Sequence, residues 1–176
     1  MSDKLAEAQR SIELKARVTN LQKAETIAAD IGAQFVETLY QVDTYFRCDI
    51  GRLKLREING AAAELIWYDR PADTAARTSH YRLTSVPDPA GMTALLSAGL
   101  GVRGVVRKAR RLWMWENVRL HFDTVDGLGA FFECEAVIRT AADVAPSEER
   151  VQRLRIVLAL RQSDLIAGSY ADLAGL

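Results

Sequence analysis

The 176-residue chain has little of several residue types, and each shortage excludes a class of protein. Its two cysteines, Cys48 and Cys134, form no CxxC motif and no zinc-ligand spacing, so we expect reduced packing residues in a cytoplasmic protein. Lys plus Arg and Asp plus Glu both total 23, so no net charge attracts nucleic acid or an anionic membrane. No apolar run approaches the roughly 20 residues of a membrane span. The N-terminal segment MSDKLAEAQR lacks the apolar core of a secretion signal.

Apolar residues make up 49% of the chain, which is typical of a globular protein, and we expect residues 1–176 to form one domain. Alternation of polar and apolar residues predicts eight strands, over residues 10–18, 34–48, 52–58, 63–70, 77–86, 102–116, 118–125 and 130–140. Helical spacing and terminal residues predict helices over 19–32, 87–101 and 146–163, and a short helix or tail over 168–176. The strand connections are short enough for antiparallel pairing.

Charged residues alternate with apolar ones in strand after strand. In GRLKLRE, the cations Arg52, Lys54 and Arg56 share one face of the predicted strand, and Leu53 and Leu55 share the other. Five predicted strands show this pattern. Their charged or ionisable members are Glu13, Lys15, Arg17, Arg52, Lys54, Arg56, Lys108, Arg110, Arg119, His121, Asp123, Glu133 and Glu135.

Two arrangements of these faces are open from the residues alone. A half-exposed sheet would pack its leucines on helices and leave the charges in water. A sheet of about eight strands tends to curl, however, and a closed barrel removes its exposed edges. Charged faces that turn inward would share one polar cavity, where a buried charge is costly unless it is paired or bound to a ligand. Such a cavity implies a densely anionic ligand and a metal ion.

Eight segments, in order along the chain, resemble motifs of the CYTH superfamily, the triphosphate tunnel enzymes. IELKARV resembles the family's N-terminal ExExK strand, and the series continues through QVDTYF, GRLKLRE, LIWYDRP, RTSHYRL, VVRKARRLW, VRLHFDTVDGLGAFFECE and GSYADL. The resemblance is strongest to the branch of class IV adenylyl cyclases. It implies an α+β fold in which an eight-stranded antiparallel closed β-barrel, the triphosphate tunnel, is flanked by helices.

The resemblance also implies site residues. Triphosphate would be bound by Lys15, Lys54, Arg56, Arg77, Lys108, Arg110 and Arg119. Mg²⁺ or Mn²⁺ would be bound by Glu13, Asp123, Glu133 and Glu135. Lys15 and Asp123 are the residues expected to take part in the chemistry. His121 has the same parity as Arg119 and Asp123, and we expect it to pack or form a hydrogen bond rather than to take part in catalysis.

The implied activity is metal-dependent chemistry on a triphosphate, foremost the class IV adenylyl cyclase reaction from ATP to cyclic AMP and pyrophosphate. The alternatives are hydrolysis of inorganic or thiamine triphosphate, and a nucleotide- or polyphosphate-binding protein with weak turnover. Ser11 supports the binding protein with weak turnover, because it stands where the family motif has its first Glu and would weaken a metal site. A structural barrel with salt-bridged charges inside is a fourth reading. The expected partner is a nucleoside triphosphate or polyphosphate, with neither nucleic acid nor membrane, and a homodimer is compatible with the resemblance.

Overall fold

The computed structural model of the protein describes residues 9–69 and 77–176, which contain eight strands and four α-helices in the predicted order. The strands are β1 (Gln9–Arg17), β2 (Gln34–Phe46), β3 (Arg52–Ile58), β4 (Ala62–Asp69), β5 (Arg77–Ser85), β6 (Val102–Trp115), β7 (Val118–Val125) and β8 (Gly129–Ile138). The helices are α1 (Leu21–Asp30), α2 (Pro89–Leu100), α3 (Val144–Val157) and α4 (Tyr170–Leu173).

The eight strands form one antiparallel, curled sheet in the order β1-β5-β4-β3-β2-β6-β7-β8. β8 pairs in turn with β1, from Arg10 opposite Ile138 to Arg17 opposite Phe131, so the order returns to its first strand. The pairing of β1 with β5 is shorter and covers Gln9–Glu13. The predicted α+β class, with an antiparallel eight-stranded sheet and flanking helices, is confirmed.

The apolar faces of the strands lie outside, under the helices. Leu14 of β1, Leu120 of β7 and Phe132 of β8 are buried against α3, which contributes Val151 and Leu154. These five side chains are at most 3% exposed, and each contributes roughly 1.5–3 kcal/mol by leaving water. Burial of the even-numbered face of β1, β7 and β8 turns the odd-numbered, charged face toward the inside of the curl.

Helix termini follow their predicted chemistry. The Asn20 side chain accepts a hydrogen bond from the backbone of Lys23 at the start of α1, and Asp88 caps α2 in the same way, with Pro89 in the first position. The prediction for the third helix was wrong at its C-terminal end. It ends at Val157 rather than at residue 163, because Ala159 adopts a left-handed backbone with φ 51° that cannot continue the helix.

The two cysteines differ. Cys134 is fully buried in the core between β1 and β7, which confirms its predicted packing role. Cys48 is exposed in the turn after β2, so the same prediction was wrong for this residue. Within the described ranges, no helix has both the length and the apolar character that crossing a membrane requires.

Candidate active site

A cavity of about 610 Å³ lies inside the curled sheet and is lined by side chains from all eight strands and from α4. This volume is typical of small-molecule sites. The charged faces therefore turn inward, as the second arrangement required. The predicted site residues that line the cavity are Glu13, Lys15, Lys54, Arg56, Lys108, Arg110, Arg119, Glu133 and Glu135.

Two predicted site residues, Asp123 and Arg77, are not among the described side chains that line the cavity. Asp123 is fully buried behind the cavity wall. Arg77 begins β5, where its backbone pairs with Glu13, but its side chain lies outside the described part of the structure.

The positively charged side of the cavity is organised by Asp43, which sequence analysis missed. Arg56 donates to both carboxylate oxygens of Asp43, Nε to Oδ1 at 2.7 Å and a terminal nitrogen to Oδ2 at 2.8 Å. Lys54 and Lys108 donate to Oδ2 at 2.9 Å and 2.8 Å. Asp43 is fully buried, and it lies directly opposite Arg56 in the β2–β3 pairing. An acidic residue of inward parity next to the cationic strand was the signal that could have revealed it.

Three cations surround this one carboxylate, so the cluster has an excess of positive charge. Burial, followed by repulsion from Arg56, lowers the pKa of Lys108 to about 8 and that of Lys54 well below its usual value. Burial alone would raise the pKa of Asp43, but the cations, with Arg56 the strongest, hold it well below its usual value. An anionic ligand would therefore stabilise the charged forms of both lysines.

A second cluster centres on Arg110 and includes Tyr170, which sequence analysis also missed. Arg110 donates to both oxygens of Asp123, at 2.8 Å and 2.6 Å, and to Glu133 at 3.0 Å. The Tyr170 hydroxyl, at the start of α4, donates to the Oδ2 atom of Asp123 at 2.8 Å. Lys15 lies 3.5 Å from Glu133, with its ammonium 4.2 Å from the centre of the Tyr170 ring. Both oxygens of Asp123 are thus occupied in orienting Arg110.

The acidic side of the cavity follows from the pairing of β1, β7 and β8. Glu13 and Glu135 are directly opposite each other, and Glu135 also faces Arg119, which donates to it at 3.2 Å. Ser11, in the position of the missing family Glu, is fully buried and donates to the Oε1 atom of Glu13 at 3.2 Å. The hydroxyl therefore supports a neighbouring carboxylate but supplies no charge of its own.

The acidic residues fit a hard divalent cation by donor chemistry. Carboxylate oxygens are the ligands that Mg²⁺ and Mn²⁺ prefer, and Glu13, Glu133 and Glu135 all line the cavity. In the described part of the chain, no group of three or more His, Cys, Asp or Glu side chains is already gathered to hold a metal. Glu133 and Glu135 are instead paired with cations. An anionic ligand that paired with Lys15, Arg110 and Arg119 would release these carboxylates for a metal ion.

Comparisons with known proteins agree with this geometry. The CYTH domain family model matches residues 9–170. A Methanocaldococcus jannaschii protein provisionally named an adenylate cyclase is 25% identical over 176 residues, covering 94% of this chain and 98% of that protein.

Solved structures show the same fold. A protein from Pyrococcus horikoshii has a TM-score of 0.82 at 24% identity, over 93% of this chain and 98% of its own. A Hippeastrum protein, provisionally named an adenylyl cyclase and described with a dominant triphosphatase activity, has a TM-score of 0.63 at 14% identity. That match covers 94% of this chain and 93% of the Hippeastrum chain. At these identities the two structures support the fold.

Proposed function

The chain belongs to the CYTH domain family, and on that premise we propose that it is a metal-dependent enzyme acting on a triphosphate that the curled sheet encloses as a tunnel. One observation carries the proposal: Lys54, Arg56 and Lys108 share the single carboxylate of Asp43 in a buried cluster. A triphosphate supplies several negative oxygens in a row, which match such an excess of donors.

We propose the adenylyl cyclase reaction as the chemistry, in keeping with the provisional name of the Methanocaldococcus jannaschii relative. The ribose 3′-hydroxyl of ATP would attack the α-phosphorus, and pyrophosphate would leave with the electron pair of the broken P–O bond. In this proposal Lys54, Arg56 and Lys108 neutralise the leaving pyrophosphate.

The second cluster would act nearer the reacting phosphorus. Arg110 presents a guanidinium held rigid by Asp123, so it can bind phosphoryl oxygens in a fixed orientation. We assign Lys15 to charge stabilisation beside it, and Arg119 and Arg77 to further phosphate contacts. Participation of Asp123 in catalysis or metal binding stays a prediction, which requires it to release Arg110 or Tyr170.

We propose that Glu13, Glu133 and Glu135 hold Mg²⁺ or Mn²⁺, with Asp123 as a further predicted ligand. The bound ion would neutralise phosphoryl charge and act as a Lewis acid. Ser11 leaves one carboxylate fewer than the family motif, so we expect weak metal affinity and a requirement for millimolar metal.

The test is product analysis with purified protein, ATP, and Mg²⁺ or Mn²⁺. Cyclic AMP and pyrophosphate in equal amounts would support the proposal. ADP and phosphate, together with hydrolysis of tripolyphosphate or thiamine triphosphate, would replace the cyclase by the triphosphatase alternative. Lys108→Ala should abolish turnover, whereas Arg107→Ala is the matched control, because Arg107 is the exposed neighbour on the opposite face of β6. Absence of turnover and of triphosphate binding would overturn the proposal.

A further inference from the structure

Two buried polar side chains in the cavity wall have an atom with no hydrogen-bond partner among the described residues: Gln41 through Oε1 and His121 through Nδ1. Gln41 is 4% exposed and His121 is 7% exposed. The nearest acidic oxygen to His121 Nδ1 belongs to Glu133, at 3.8 Å, which is too far for a hydrogen bond. Buried polar atoms are normally satisfied, so these two call for a ligand that completes them.

Gln41 lies where the cationic cluster meets apolar side chains, because it pairs with Lys108 of β6 on one side. Gln41 lies directly opposite Ile58 in the β2–β3 pairing, and Leu39 is the next inward residue along β2. Leu39 pairs with Arg110 of β6, so Leu112 is its diagonal neighbour, and Leu112 pairs with His121. One continuous row of the wall therefore carries two aliphatic side chains, Leu39 and Leu112, between its two unsatisfied polar groups, and Ile58 flanks Gln41 on the other side.

This row lies next to the charged side chains on three strands: the cations of β3 and β6, and Asp43 of β2, which binds the cationic cluster. Gln41 lies two residues before Asp43 on β2, Ile58 two residues after Arg56 on β3, and Leu112 two residues after Arg110 on β6. One inward step along a strand is two residues, or about 7 Å. A molecule whose phosphates contact the cations would thus have its remaining part beside the row.

Three tyrosine rings near the cations are less suited to contact an uncharged ring. The Lys54 ammonium lies 5.5 Å and 5.7 Å from the ring centres of Tyr45 and Tyr68. Lys15 similarly lies over Tyr170, whose hydroxyl is bonded to Asp123. These aromatic faces already contact cations, whereas the aliphatic row offers open apolar surface.

We propose that the row formed by Leu39, Gln41, Ile58 and Leu112 is a nucleobase subsite, and that Gln41 selects adenine. The inference rests on the proposed function, because the cations must hold the phosphates. A glutamine amide matches adenine in two places: Oε1 accepts from the N6 amino group while Nε2 donates to N7. Guanine has a carbonyl oxygen where adenine has N6, so Oε1 would face another acceptor. The aliphatic side chains contact the faces of the base, and the His121 nitrogen is available to a sugar hydroxyl.

The experiment compares dissociation constants by isothermal titration calorimetry with Mg²⁺ present. The probes are the α,β-methylene analogues of ATP and GTP, and diimidotriphosphate, which has phosphates and no base. The variants are Gln41→Leu, which removes the amide, and Gln41→Asn, which keeps an amide but withdraws it by one methylene. Gln34→Leu is the matched control, because Gln34 is an exposed glutamine at the start of the same strand.

We expect the wild-type protein to bind the adenine analogue at least tenfold more tightly than the guanine analogue or diimidotriphosphate. Gln41→Leu and Gln41→Asn should remove that tenfold gain and leave the diimidotriphosphate constant within twofold. Gln34→Leu should change neither value. If Gln41→Leu does not fold, Gln41→Asn provides the same comparison.

The outcomes separate the two proposals. If diimidotriphosphate binds but the adenine analogue gains nothing, or if the Gln41 variants weaken all probes equally, the subsite is refuted and the triphosphate site stands. If no probe binds, the proposed function fails and the subsite fails with it.

Discussion

The substitution Asp43→Asn tests the electrostatic design of the cavity most directly. Asparagine keeps the shape of the side chain but removes the carboxylate that Lys54, Arg56 and Lys108 share. In the folded protein the three cations would then repel one another in a buried site. The substitution should therefore destabilise the ligand-free protein, and an anionic ligand should stabilise the variant more than it stabilises the wild type.

The size of the effect follows from the burial of the cluster. The four side chains are 1% to 14% exposed, so solvent screens their interactions little. Removing one partner of a buried ion pair costs roughly 3–5 kcal/mol. We expect the lower value, about 3 kcal/mol, because Lys108, with its pKa already at about 8, can lose its proton and relieve part of the repulsion. For a domain of this size that corresponds to a fall in Tm of roughly 6–12 °C.

Thermal and urea unfolding at pH 7, with and without tripolyphosphate, provide the measurement. Saturating tripolyphosphate should narrow the stability gap between Asp43→Asn and wild type, since the ligand replaces the missing negative charge. Asp126→Asn is the control: this exposed turn residue should change stability by less than about 0.5 kcal/mol. An Asp43→Asn protein as stable as wild type, or a gap that tripolyphosphate leaves unchanged, would refute the reasoning.

Three further predictions follow from the same contacts. Above pH 8 the folded protein loses the Lys108 proton that the unfolded chain still holds, so the contribution of this group to stability increases as pH rises. Tripolyphosphate affinity should fall over the same range by up to about tenfold per pH unit, because the neutral lysine no longer attracts the anion. Binding titrations from pH 7 to 10 should show this fall in affinity. In Lys108→Arg only the pH dependence due to Lys54 should remain. A wild-type affinity independent of pH would contradict the role of Lys108 in binding the anion. Tyr170→Phe should lower the free energy of unfolding by roughly 1.5–3 kcal/mol, because it removes a hydrogen bond to the buried Asp123 carboxylate. Urea unfolding measures this loss, and a negligible loss would contradict the prediction. Glu135→Gln should raise the Mg²⁺ concentration needed for half-maximal turnover at least tenfold with little change in Tm, and an unchanged metal requirement would remove this residue from the metal site.

Much of the fold could be predicted because alternation along a strand is a local property. Lys54 and Arg56 share a face in any strand that contains them, and Leu53 and Leu55 share the other. The same rule oriented Glu133 and Glu135, and it applied to the five predicted strands with alternating charges. The helix end at Val157 was mispredicted because Ala159 adopts a left-handed conformation, and an alanine in the sequence does not indicate such a conformation.

The partners of the inward side chains could not be predicted. Lys108 and Asp43 are 65 residues apart, and Tyr170 and Asp123 are 47 residues apart, yet each pair is joined by a hydrogen bond of 2.8 Å. Parity indicates only which face a residue occupies; the stagger between strands decides which residues meet across the cavity. Asp43 was overlooked for that reason, although it organises the cationic cluster.

The amino-acid sequence by itself determined the strands, their apolar and charged faces, and the resemblance that predicted an inward charge array. Curling of the sheet decided the rest. It placed three cations on Asp43, fixed Arg110 between Asp123 and Glu133, and left Gln41 unsatisfied beside an aliphatic row. The physical reason is that alternation is set within each strand, whereas charge pairing and desolvation depend on distances between strands that exist only after the sheet has curled.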